Sequence, residues 1–202
     1  MSLQLMLDVD GVLVTGRPGD GRPWATSLAA DLGLEPERLQ ESFFRPHWQE
    51  IVTGRAELEP ALAGSLAKIA PDLPARDLMD YWFSRDSRID AALLDEVASL
   101  RAGGLPVWLA TNQEHRRAAY LLETLGLAAH VDGILHSARL GAMKPEPAFF
   151  AAAEAAAGGE GPFLLVDDSE RNVTAARAAG WQAEVWTGEA RLADLVAAAR
   201  AR

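Results

Sequence analysis

The 202-residue chain reads as an α/β protein, a doubly wound, parallel, five-stranded sheet with an inserted all-helical domain. Three features predict this. Five short apolar runs are bounded by turn residues, as strands buried on both faces are. Helical patterns that close on glycine precede or separate the last four of them. One long stretch, residues 15–88, breaks the alternation with helical segments and no convincing strand.

The elements follow in chain order. Residues 3–9 form the first apolar run, closed by Asp10-Gly11. In the insertion, proline stands at or near the start of most helical segments. Pro36 precedes Leu39 and Phe43, Pro46 precedes Trp48 and Ile51, Pro60 precedes Leu62 and Leu66, and Pro74 precedes Leu78 and Trp82. Proline in a first helical turn loses nothing, because its missing N–H has no intrahelical partner there. The spacing predicts four or five short helices, with residues 17–21 and 84–88 as connectors. A helix over 91–101 then leads to a strand over 105–110. Helix 114–125, strand 131–135, helix 145–157, strand 163–166, helix 170–179 and strand 183–186 complete the chain. Residues 1–14 and 89–202 are thereby expected to form the core, and 15–88 the inserted domain.

Composition narrows the function. Apolar residues are 49% and charged residues 24%, which is ordinary globular usage. No run approaches the roughly 20 apolar residues of a membrane span. The opening residues have no basic leader, so a cytoplasmic protein is expected. With no cysteine, thiolate metal sites and cysteine catalysis are excluded. A net charge of −10 without a basic stretch argues against nucleic-acid partners. An anionic small molecule remains possible if a metal, a lysine or helix N-termini supply local positive charge.

In an open parallel sheet, ligands meet the carboxyl ends of the strands. Asp8 and Asp10 follow strand one, Thr111 and Asn112 follow strand two, Lys144 follows strand three, and Asp167, Asp168 and Ser169 follow strand four. This set suits phosphoryl transfer. A carboxylate attacking a phosphate dianion meets like-charge repulsion, which a divalent cation on hard oxygen ligands removes. Asp8 can be that nucleophile, with Asp167 or Asp168 opposite it as metal ligand. Asp10, two residues on, can face the leaving group and donate a proton. Thr111 and the backbone near Asn112 can hold phosphoryl oxygens, and Lys144 supplies fixed positive charge.

The segments Asp8-Val9-Asp10-Gly11-Val12, Leu109-Ala110-Thr111-Asn112, Lys144-Pro145-Glu146-Pro147 and Leu165-Val166-Asp167-Asp168-Ser169 resemble the four ordered motifs of the haloacid dehalogenase-like hydrolases. The insertion resembles the cap of that superfamily's small-cap branch. The resemblance implies a Rossmannoid core, Mg²⁺ as cofactor, and hydrolysis of a small phosphomonoester through an aspartyl-phosphate. Asp8 would be nucleophile and metal ligand. Asp10 would be general acid/base and lend its backbone carbonyl to the metal. Thr111, Asn112 and Lys144 would bind phosphate. Asp167 and Asp168 would serve the metal, one directly and one through water, with the order open. A phosphomutase uses the same core residues. A 2-haloacid dehalogenase does not match as well, because the position of Asp10 is not acidic in that branch. A binding module that retains the pocket without turnover is a further alternative.

Some residues carry weaker signals. His115, with Glu114, Arg116 and Arg117, opens a helix beside Asn112 and either reaches substrate or forms a solvated face. Ser169 is expected to cap the helix beginning at Glu170. Arg17, Arg45, Trp48 and Trp82 are candidates for cap contacts with substrate.

Overall fold

The structure, a computed structural model, describes residues 2–159 and 161–202. Strands β1 (Gln4–Leu7), β2 (Val107–Thr111), β3 (Gly133–His136), β4 (Phe163–Asp167) and β5 (Gln182–Val185) form one parallel sheet in the order β3-β2-β1-β4-β5. Side chains alternate across it. Leu5 and Leu7 of β1 face one apolar cluster, together with Val107, Leu109, Leu164 and Val166. Met6 faces the other, with Ala110, Leu165, Phe149, Phe150 and Trp181. Burial on both faces explains why these strands read as continuous apolar runs.

The segment between β1 and β2 carries α1 (Leu28–Leu32), α2 (Pro36–Leu39), α3 (Arg45–Val52), α4 (Leu58–Ile69) and α5 (Ala75–Arg85), then α6 (Ala91–Ala102). Helices α1 to α5 close around a third apolar cluster of their own, centred on Phe43, Leu62, Leu78 and Trp82. The chain leaves and rejoins the sheet layer through a paired neck. Thr15 N–H donates to Arg88 O at 2.9 Å, and Asp90 N–H to Leu13 O at 2.9 Å. Downstream lie α7 (His115–Ala119), α8 (Ser137–Leu140), α9 (Pro147–Ala156), α10 (Glu170–Ala178) and α11 (Leu192–Arg200). Helices α8 and α11 lie beyond the sequence expectations.

One expectation is corrected here. Pro36 and Pro46 do not open separate helices, because a π-helical turn, Gln40–Phe44, joins α2 to α3. Pro46 lacks the N–H that would bond the carbonyl four residues back, and its ring crowds that carbonyl. The widened turn relieves the crowding. Ser65 Oγ–H supplies the missing donor to Ser42 O at 3.0 Å.

Candidate active site

The strand register brings the acids together. Leu7 is level with Val166, so the next residues, Asp8 and Asp167, leave neighbouring strands side by side. Asp8 N–H donates to Val166 O at 2.9 Å, which extends the ladder by one residue. Asp8, Asp167 and Asp168 offer carboxylate oxygens that all lie within 4.8 Å of one another. The Asp10 carboxyl stands outside this group and accepts a bond from Gln113 Nε2–H at 2.5 Å.

Lys144 ties the acids to the third loop. Its Nζ is 3.0 Å from Asp8 Oδ1 and 2.5 Å from Asp167 Oδ2, and the residue is 2% exposed. Burial alone favours a neutral amine, but the two carboxylates outweigh it and raise the pKa of Lys144. Asp8 moves up to about 7. Burial is the main cause and Asp167 adds to it, while Lys144 and the Val9 N–H oppose it. Burial followed by Asp167 also raises Asp168. Asp10 keeps contact with solvent, yet protein crowded around its carboxyl, helped by Asp86, pushes it upward against Arg117, Gln113 and Lys144.

One Asp8 oxygen and the Thr111 hydroxyl are left open. Val9 N–H (2.8 Å) and Lys144 both engage Asp8 Oδ1, which leaves Oδ2 without a protein partner among the described residues. The Thr111 hydroxyl, at the buried end of β2, likewise has no protein hydrogen bond among them. Asp167 is the opposite case. Its Oδ1 accepts from Ser169 N–H at 2.9 Å and Asn172 Nδ2 at 3.0 Å, and Lys144 engages its Oδ2.

Several side chains do work other than expected. Asn112 does not present its amide to the acids. Its Nδ2–H donates to Lys144 O and its Oδ1 accepts from Lys144 N–H, both at 2.8 Å, so the side chain shapes the lysine loop. Ser169 makes no side-chain cap to α10, and its backbone N–H donates to Asp167 Oδ1. Glu114 and Arg117 are buried rather than solvated. Glu114 caps α7 through the Arg116 and Arg117 N–H groups. Arg117 reaches the cap, donating to Phe83 O at 3.2 Å and to Asp86 O. His115 is exposed and lies 3.1 Å, Nδ1 to Nε2, from buried His136. Arg17 is held by Ser27 Oγ at 2.7 Å and Asp20 at 3.3 Å, and Arg45 lies exposed beside Glu41. Trp82 is buried against Trp24 and Phe44, with Trp48 beside it. Asn172 and Gln113 were missed by sequence reasoning. Asn172 could have been found, since a polar residue three positions into the helix after Asp167-Asp168 turns back toward the strand end.

Gly11 shows how closely the first and fourth loops meet. Its φ is +79°, and a Cβ placed there would lie 2.2 Å from Asp168 Oδ2. Gly11→Ala is therefore expected to cost about 1–2 kcal/mol through its left-handed backbone alone and to push Asp168 aside. Urea denaturation checks the first effect and metal affinity the second. A cavity of about 510 Å³ lies elsewhere, at the Leu105-Pro106 end where strands begin, beside Arg101 and Asp132.

Residues 5–180 match the haloacid dehalogenase-like hydrolase family. The chain belongs to that family. It is similar to a phosphoglycolate phosphatase of Yersinia pseudotuberculosis serotype I (strain IP32953), 30% identical over 179 residues, which span 86% of this chain and 75% of the relative. A HAD family enzyme of Bacteroides thetaiotaomicron, solved as a complex with magnesium and inorganic phosphate, shares the fold with a TM-score of 0.77 and 19% identity, covering 96% of this chain and 99% of that one. A predicted HAD-like family hydrolase of Porphyromonas gingivalis superimposes with a TM-score of 0.78 and 20% identity, covering 99% and 98% of the two chains. The sheet and helical cap of this haloacid dehalogenase-like hydrolase are thus those of its family. No described helix is long and apolar enough to cross a membrane.

Proposed function

We propose that this hydrolase is a magnesium-dependent phosphatase of a small phosphomonoester, working through an aspartyl-phosphate on Asp8. Residues 1–14 and 89–202 form its core domain and residues 15–88 its cap. The observation that carries the reading is the free Oδ2 of Asp8 beside a buried lysine and two further acids. The phosphoglycolate phosphatase relative and the phosphate complex of the Bacteroides enzyme support the same substrate chemistry.

The donor set fits magnesium, since the three carboxylates are hard oxygen ligands gathered within 4.8 Å. Asp8, Asp167 and Asp168 would hold the ion, with the Asp10 backbone carbonyl as a further ligand. A bound cation screens the repulsion between the attacking carboxylate and the phosphate.

Asp8 Oδ2 attacks phosphorus, and the bond to the leaving oxygen breaks as Asp10 gives that oxygen its proton. Asp10 then takes a proton from water. The resulting hydroxide oxygen attacks phosphorus, the bond to Asp8 breaks, and inorganic phosphate leaves. Thr111 and Lys144 hold phosphoryl oxygens throughout, and Asn112 keeps the Lys144 loop in place.

A panel of phosphomonoesters assayed with and without Mg²⁺ tests the reading. Phosphate release that requires the metal is expected, and tight binding of phosphate esters with no release from any of them would contradict it. Mg²⁺ is also expected to raise the unfolding temperature. At one hundred times its Kd it adds about 2.7 kcal/mol. Asp8 must lose its proton to ligate, so affinity should strengthen as pH rises through about 7. Asp168→Asn should weaken the effect. A melting temperature indifferent to Mg²⁺ removes the metal from the proposal.

A further inference from the structure

We infer that Gln113 is a positioning residue that decides which oxygen of Asp10 carries the transferable proton. The inference rests on the acid/base role proposed for Asp10. Gln113 is buried, and its Nε2–H donates to Asp10 Oδ2 at 2.5 Å. This is the sole hydrogen bond to the Asp10 carboxyl among the described residues. An amide N–H needs an oxygen lone pair, so a proton seated on the same edge of Oδ2 would compete with it. The neutral acid therefore keeps Oδ2 as its carbonyl-like oxygen and carries hydrogen on Oδ1. Asp10 is the solvent-exposed residue of the pair, and its Oδ1 has no protein hydrogen-bond partner among the described residues.

The backbone beneath Gln113 is also held. Its carbonyl accepts Ala138 N–H at 3.2 Å and lies 3.2 Å from Ser137 Oγ. The Ser137 hydroxyl is 2.6 Å from Val52 O at the end of α3 in the cap. A second cap anchor, Arg117 against Phe83 and Asp86, lies four residues further along the same segment. Residues 113–117 thus join the docked cap to the side chain that orients Asp10. An amide mounted on a fixed backbone loses little further freedom in holding a carboxyl, which suits a positioning role.

The test compares a poor leaving group, an alkyl phosphate, with a good one, p-nitrophenyl phosphate. Gln113→Met keeps the length and removes the donor. Turnover of the alkyl ester should fall about tenfold and that of the nitrophenyl ester less than about twofold, a part of the full general-acid contribution. Asp10→Asn should discriminate in the same direction and more strongly. Adding Gln113→Met to Asp10→Asn should then change the discrimination no further, because the amide acts through the carboxyl. Equal losses on both esters in Gln113→Met, with Asp10→Asn still discriminating, overturn the inference and leave the role of Asp10 standing. Equal losses in Asp10→Asn overturn the role itself. If the Met variant does not fold, Gln113→Leu, which also lacks the donor, takes its place with the same expected outcomes.

Discussion

Asp8→Asn will abolish phosphate release while the protein stays folded. The substitution keeps the shape of the side chain and an oxygen for the Val9 N–H, but removes the anionic oxygen that attacks phosphorus. Lys144 retains Asp167 at 2.5 Å, so no buried charge is left alone. Loss of a nucleophile costs on the order of 10⁴-fold or more in turnover. Phosphate release measured under saturating ester and Mg²⁺, alongside a circular dichroism melt, decides the matter. A folded variant that keeps more than about a tenth of the activity is incompatible with covalent catalysis at this residue.

Lys144→Met is expected to have the largest effect on stability. Lys144 is 2% exposed and bridges Asp8 and Asp167, with Asp167 itself fully buried. Without the ammonium, two carboxylates face each other in the interior. Removing one member of such a group costs about 3–5 kcal/mol at neutral pH. The loss should shrink at pH 5, because Asp8 titrates near 7 even with the lysine lowering it and is therefore protonated in both proteins at pH 5. Added Mg²⁺ should recover part of the loss at pH 7.5, since a cation between the acids replaces the missing charge. Equilibrium urea unfolding at the two pH values measures both effects. A cost below about 1 kcal/mol at pH 7.5 would mean that the lysine is not the counter-charge of these acids.

Both expectations use residues that are legible in the chain itself. Asp8, Thr111 and Asp167 each stand at or just beyond a strand whose apolar run announces it, and in a parallel sheet all such ends share one edge, while Lys144 follows β3 only after the short helix α8. Asn172 was within reach of the same reasoning through helical spacing. Gln113 and Arg117 were not, because their partners lie 103 residues away at Asp10 and 31 residues away at Asp86. Nothing local in Gln113-Glu114-His115-Arg116-Arg117 distinguishes a buried clamp from a solvated helix start. The amide of Asn112 is similar: beside Thr111 it reads as a phosphate contact, and only the position of the Lys144 loop turns it to other use.

The order of strands and helices, the inserted helical segment and the identity of the acids at the sheet edge follow from the linear chain, because periodicity and turn chemistry are local properties. Tertiary structure alone decided that Asp8 keeps one oxygen free while Asp167 has both engaged, that Pro46 sits within a helix, and that the cap docks on the segment that holds Asp10. Those outcomes depend on which donors meet which acceptors across long sequence separations. A hydrogen bond is set by the placement of both partners, and a single stretch of sequence specifies only one of them.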